Sequence, residues 1–125
     1  MIENNRIEFK LKLTDDLERL WDPIALREAI INAFVHNDYT YEQAPKFEFF
    51  TDRFEITSYG GLPQGLSENE FFEGISMPRN KEIMRIFKDL ELVEQLGSGI
   101  PRILQSYSKD AFHLSDNYIR MTFPK

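Results

Sequence analysis

Residues 27–39 read REAIINAFVHNDY, and the fold turns on how this run is read. At about 100° per residue, Ile24, Ala25, Ala29, Ile30, Ile31, Ala33, Phe34 and Val35 spread around most of a helical wheel. A helix that is apolar almost all round is a buried one. Inside that circumference fall Glu28, Asn32 and His36, on an arc of roughly 80°. An ionised carboxylate in such a position costs several kcal/mol unless something pairs with it. The three polar residues are therefore expected to face a cavity, a ligand or a metal.

Working outward, Asp22 is placed as N-cap of this helix with Pro23 in its first position, and the helix is expected to end near Asn37 or Asp38. Before it, Ile7, Phe9, Leu11 and Leu13 alternate with Glu8, Lys10 and Lys12, the period of a half-buried strand over Arg6–Leu13. Thr14–Leu20 reads as a polar linker or a short turn capped by Thr14 or Asp15. After the helix, a loop over Tyr39–Pro45 leads into two short strands, Lys46–Thr51 and Arg53–Tyr59, with a tight turn at Asp52-Arg53. The second strand runs into Ser58-Tyr59-Gly60-Gly61-Leu62-Pro63, where consecutive glycines admit backbone conformations closed to other residues. A polar stretch over Gln64–Arg79 holds a short helix at Glu68–Phe72. An amphipathic helix over Asn80–Leu92 is expected to turn Ile83, Ile86, Phe87 and Leu90 inward. A glycine turn at Leu96-Gly97-Ser98-Gly99 precedes a helix over Ile100–Tyr107, and a hairpin of Ala111–Leu114 and Tyr118–Phe123 closes the chain around Ser115-Asp116-Asn117. This order predicts an α+β fold, a two-layer sandwich of a mostly antiparallel sheet with helices on one face.

A chain of 125 residues is one domain by the usual prior and buries about two-thirds of its surface. Hydrophobic residues at 42% and charged residues at 29% are ordinary for a globular protein. With no cysteine, a disulfide framework and a thiolate metal site are both excluded. No stretch has the layout of a signal peptide or the length of a membrane span, so the expected setting is the cytoplasm, away from membranes. The net charge of −6 argues against a broad nucleic-acid footprint, since phosphate neutralisation supplies most of that affinity. DNA is expected only through other domains of a longer protein.

The E-x-x-x-N spacing of Glu28 and Asn32 resembles the N-box of the GHKL ATPases, the superfamily of DNA gyrase, the MutL repair proteins, the heat-shock chaperone and the histidine kinases. The runs REAIINAFVHNDY, DRFEITSYGGLP and MPRNKEIMRIFKDLELVEQLGSGIPRI resemble, more narrowly, a divergent branch of RecG-like ATP-dependent DNA helicases and transcriptional regulators. The likeness spans Trp21 to Gln105. It implies the same two-layer architecture, in a Bergerat-like form. It also implies a carboxy-terminal piece of a longer protein, whose amino-terminal domain would be of the AlbA-like or Schlafen type.

The resemblance further implies site roles for ATP and Mg²⁺. Glu28 matches the glutamate that orients and deprotonates the water attacking the γ-phosphate, and Asn32 the asparagine that ligates Mg²⁺. Phosphoryl transfer needs such a positioned water and a hard cation on oxygen ligands. The alternative is structural: Glu28 paired with Arg27, Lys46 or another base, and Asn32 bonded to a loop carbonyl. His36, one turn on, reads either as a phosphate contact or as a core histidine whose tautomer Asp38 or Tyr39 fixes. Ser58, Gly60 and Gly61 fall where the family carries D-x-G-x-G, with Ser58 in place of the adenine-binding aspartate. A serine lacks the charge-assisted strength of a carboxylate acceptor. Gly97 and Gly99 match the second glycine box, a phosphate cradle ahead of a helix. In MPRN, Arg79 reads as a phosphate contact or an ion pair with Glu28, and Asn80 as a helix N-cap.

Two functions follow. One is a nucleotide-binding GHKL-like domain with ATPase activity, within a helicase-related protein or a transcriptional regulator. The other is a regulatory or interaction module that keeps the fold without the chemistry. A DNA-binding variant of the second takes Asn80–Tyr107 as a helix-turn-helix and the last hairpin as a wing, although Glu82, Asp89, Glu91 and Glu94 crowd the region and its recognition helix offers only Arg102 and Lys109. A homo-oligomer stays open.

Overall fold

Asp22 starts the central helix as the sequence requires. Its Oδ1 accepts from the backbone N–H of Ile24 at 2.9 Å and of Ala25 at 3.1 Å, and Pro23 takes the first turn, where its missing N–H costs nothing. The structure, a computed structural model, describes residues 20–75, 77–91 and 99–125. The strand expected at Arg6–Leu13, the turn after it and Leu96-Gly97-Ser98 lie outside these. In chain order the elements are helix α1 (Pro23–His36), strands β1 (Lys46–Phe49) and β2 (Arg53–Tyr59), helices α2 (Glu68–Glu73), α3 (Lys81–Asp89) and α4 (Gly99–Leu104), and strands β3 (Phe112–Leu114) and β4 (Tyr118–Pro124).

The four strands form one antiparallel sheet in the order β1-β2-β4-β3. Alternation along β2 divides its two faces. Phe54, Ile56 and Ser58 point to the helical layer, while Arg53, Glu55 and Thr57 share the other face with Arg120 and Thr122. That second face is tied by side chains: Arg120 Nε donates to Thr57 Oγ1 at 3.1 Å, and Thr122 Oγ1 to Glu55 Oε2 at 3.3 Å. The helical layer lies on one side, and the core between the layers holds Phe54, Ile56, Ile119, Met121 and Phe123 of the sheet against Ala25, Leu26, Ala29 and Ala33 of α1 and Ile100 and Ile103 of α4. Ala25, Ala29 and Ala33 recur at i, i+4 and i+8 and are fully buried. This alanine spine lets α1 approach the sheet and α4 closely enough for its neighbours in sequence to touch them. Trp21 pins the near end of α1, donating from Nε1 to Phe123 O at 2.8 Å.

Two expectations need correction. Ile24, counted into the apolar wheel, is exposed. The inward stripe of α3 divides: Ile83 and Phe87 are half-buried, whereas Ile86 and Leu90 are 55% and 63% exposed, and no residue of the helix is fully buried. The amino end of α3 is tied to α1 through Arg79 and Asn80.

Candidate functional site

The polar arc of α1 separates into two neighbourhoods, since Glu28 and His36 lie about 12 Å apart along a helix rising 1.5 Å per residue. The first is built on Glu28. Its side chain is buried, and Oε1 accepts from Arg102 Nη1 at 3.0 Å. A β-carbon placed on Gly99 would sit 3.3 Å from Oε2, so the carboxylate lies directly over that glycine. Residues 71 positions apart in sequence thus converge because α4 packs along α1. Breaking a buried pair of this kind by removing one partner typically costs about 3–5 kcal/mol. Glu28 is therefore paired with a base, as the structural reading required, but with neither Arg27 nor Lys46; Lys46 pairs with Glu48 at 3.3 Å. Nor does Arg79 reach it. One turn along, Asn32 is half-buried on the same face and makes no side-chain hydrogen bond among the described residues.

The second neighbourhood is the carboxyl end of α1, where four backbone carbonyls lack intrahelical partners. Each is met. Phe34 O accepts from Tyr39 Oη at 3.0 Å, and Val35 O from Asn80 N at 3.0 Å and Nδ2 at 2.8 Å. His36 O accepts from Arg79 Nη1 at 2.8 Å, and Asn37 O from Asn80 Nδ2 at 2.7 Å. Asn80 does stand at the N-cap position of α3, but its side chain makes no cap bond there; it is spent on α1. Arg79 also donates to Gly61 O at 3.1 Å and, at a long 3.4 Å, to Tyr59 O. Its expected partners were a phosphate or Glu28. It is found instead clamping three backbone carbonyls.

The end of α1 is also spliced onto the sheet. Asn37 is fully buried, its Oδ1 accepting from Tyr59 N at 2.8 Å and its Nδ2 donating to Gln43 O at 2.8 Å, while Asp38 N donates to Tyr59 O at 2.9 Å. These bonds continue the ladder of β2 past the end of β1. Gly60 follows at φ +84°, and a β-carbon there would collide with the Arg79 guanidinium and with Asp38 Cβ. Gly61 needs its bareness for a different reason, because a β-carbon would lie 2.6 Å from Asp116 O and 2.8 Å from Ser115 O. Ser58 sits in β2 on the helical side, fully buried.

His36 is caught in this crowd. Burial, helped by the positive charge of Arg79, lowers its pKa to about 4, so the ring is neutral at pH 7. Neither expected tautomer partner serves it: Tyr39 Oη is used by Phe34 O, and the Asp38 carboxylate accepts from Thr40 N and Oγ1. An open cleft of about 560 Å³ borders Arg79, lined by Pro63, Gln64, Met77, Pro78 and Lys81. This is within the usual size of small-molecule sites.

The structure therefore joins Glu28 with Gly99, and His36 with Arg79, Gly60 and Gly61. Gly97 lies outside the described residues, as does the turn of the helix-turn-helix reading. Two residues that matter here have other places when read from the sequence. Arg102 is offered there only as a DNA contact, although this residue stands one helical turn after Gly99 and a buried carboxylate demands a base. Asn37 is offered only as a helix end. No cluster of three or more His, Asp or Glu residues able to hold a metal occurs among the described residues, and no helix there is long and apolar enough to cross a membrane.

A family model described as "Putative ATP-dependent DNA helicase recG C-terminal" matches residues 42–122. Searches of curated proteins and of solved structures give no match.

Proposed function

This chain belongs to the RecG carboxy-terminal family of ATPase-like domains, and from that premise we propose that it binds an adenine nucleotide with Mg²⁺ at the Glu28–Asn32 face of α1 and hydrolyses it slowly. The observation that carries the reading is the convergence of Glu28 on Gly99, which joins the N-box to the second glycine box across 71 positions of sequence. Asn32 fits the cation: it offers a half-buried amide oxygen with no hydrogen-bond partner among the described residues. Mg²⁺ is commonly held by one or two protein oxygens, with the phosphates and water supplying the rest. When bound it neutralises charge on the phosphate oxygens. Glu28 accepts the proton of a water whose oxygen attacks the γ-phosphorus; the bond from that phosphorus to the bridging oxygen breaks, ADP leaves with the oxygen and its electron pair, and inorganic phosphate is the other product.

The pairing of Glu28 with Arg102 favours slow turnover, because this ion pair must open before the carboxylate takes a proton from water. The burial of Ser58 where the family has an aspartate favours weak adenine selectivity, and so keeps the regulatory module in view as the second reading. Thermal melting with Mg²⁺ and ATP, ADP or GTP tests the proposal. A ligand at 100 times its Kd stabilises by about 2.7 kcal/mol, a shift of several degrees. The expected result is a Mg²⁺-dependent shift with ATP and ADP, whose Mg²⁺ dependence Asn32→Ala removes. No shift with any nucleotide overturns nucleotide binding and leaves the regulatory module.

A further inference from the structure

Glu28 Oε1 accepts from Arg102 Nη1 at 3.0 Å, while Oε2 lies over Gly99, 3.3 Å from where a β-carbon of that residue would stand. Held by the guanidinium, Oε1 is not presented to a water. The partner that holds it is the better exposed of the two, Arg102 at 30% against 9% for Glu28 by side chain. A guanidinium presents a planar fork of donors that suits carboxylate and phosphate alike, and its bond to a phosphate is among the strongest a side chain makes.

We propose that Arg102 is a latch on Glu28 that ATP releases and ADP does not. The inference rests on nucleotide binding at this face. Without nucleotide, Arg102 holds Glu28 idle. The terminal phosphate of ATP competes with the carboxylate for the guanidinium, and Arg102 exchanges one anion for the other. The exchange frees Glu28 Oε1 in the state that contains a γ-phosphate to attack. Arg102 is thus a positioning residue that also reads the length of the phosphate chain. ADP, lacking the terminal group, leaves the latch closed.

The two anions compete for one cation, so weakening one strengthens the other. Glu28→Gln keeps the shape of the side chain and removes its charge, leaving a neutral acceptor whose bond to Arg102 is roughly half as strong. ATP should then bind about tenfold more tightly than to the wild type, with a smaller gain for ADP, so that the ATP-to-ADP affinity ratio rises. Arg102→Met alone strands a buried carboxylate and risks the fold, so the deletion is made as Glu28→Gln/Arg102→Met, which removes both charges of this pair together. Calorimetric titration with Mg²⁺–ATP and Mg²⁺–ADP is the readout, with ADP affinity reporting an intact site. The expected result is loss of the ATP preference in this double variant and its partial return in Glu28→Gln/Arg102→Lys. A structural ion pair would not move the ATP-to-ADP ratio. An undiminished ATP preference in the double variant overturns the latch and leaves nucleotide binding standing. Failure of the wild type to bind either nucleotide overturns both.

Discussion

Replacing Arg79 by alanine removes one guanidinium from three backbone carbonyls, those of His36, Gly61 and, more weakly, Tyr59. A hydrogen bond from a charged donor contributes about 1.5–3 kcal/mol, and the acceptors left behind are only partly reachable by water. Discounting the 3.4 Å contact and the half-buried position of the side chain, the loss should be about 2–4 kcal/mol. For a domain near this size each kcal/mol moves the midpoint by about 4–8 °C, so Tm should fall by roughly 10–20 °C. Arg79→Lys keeps the charge but cannot span the carbonyls, and should recover less than half of the fall. A second readout follows His36. Burial is the main cause of its low pKa and the Arg79 charge the next, so the Arg79→Ala variant should titrate His36 closer to the ordinary value, visible by NMR in a chain with only two histidines. Melting within about 2 °C of the wild type, together with loss of nucleotide-induced stabilisation, would refute the clamp and make Arg79 the phosphate contact the sequence allowed.

The depressed pKa of His36 makes stability depend on pH. The folded ring resists protonation, the unfolded one accepts it near pH 6.5, and so stability is full above pH 6.5 and is lost as pH falls towards about 4. Urea titrations across that window should show a loss of about 2–3 kcal/mol, and His36→Gln should flatten it. Gly61→Ala drives a β-carbon into two backbone oxygens that cannot swing away and should cost about 1–3 kcal/mol by chemical denaturation. Gly65→Ala, at φ +87° but in open space, isolates the backbone strain and should cost only about 1–2 kcal/mol. Asn37→Ala orphans Tyr59 N–H and Gln43 O around a fully buried site and should lose about 2–4 kcal/mol in the same assay, with Asn37→Asp failing to rescue because it buries a charge and drops the donor.

Local signals carried much of the fold. Asp22-Pro23 set one end of α1, its apolar run marked a buried helix, and the turn residues placed the two hairpins, but not the pairing of β2 with β4 that joins them. Long-range partnership was not legible in the same way. The partner of Glu28 had to be basic, but which of the chain's bases it would be depended on α4 lying along α1, and nothing in the periodicity of either helix states that. The amphipathic pattern of α3 predicts four inward residues, but its spacing does not say that Ile83 and Phe87 are half-buried while Ile86 and Leu90 stay exposed. Asn80 shows the same limit at a single residue: its type suited a cap, and it is used as a cap, but for the carboxyl end of another helix.

The polar residues gathered around α1 fall into those the backbone consumes and those it does not. A helix end inside a protein must find partners for its carbonyls, and a strand that outruns its neighbour must find partners for its next N–H and C=O. At the carboxyl end of α1 both demands fall together, and Asn37, Arg79 and Asn80 meet them. Residues so committed cannot be withdrawn for a ligand without opening the splice between α1 and β2. Glu28 and Asn32 lie farther back, in the middle of the helix, where every backbone group already has its partner. Their side chains answer to no such demand, and it is on them and on Arg102 that the proposed nucleotide chemistry is placed. Arg79, Asn80, Gly60 and Gly61, beside His36, hold the carboxyl end of α1 to the sheet.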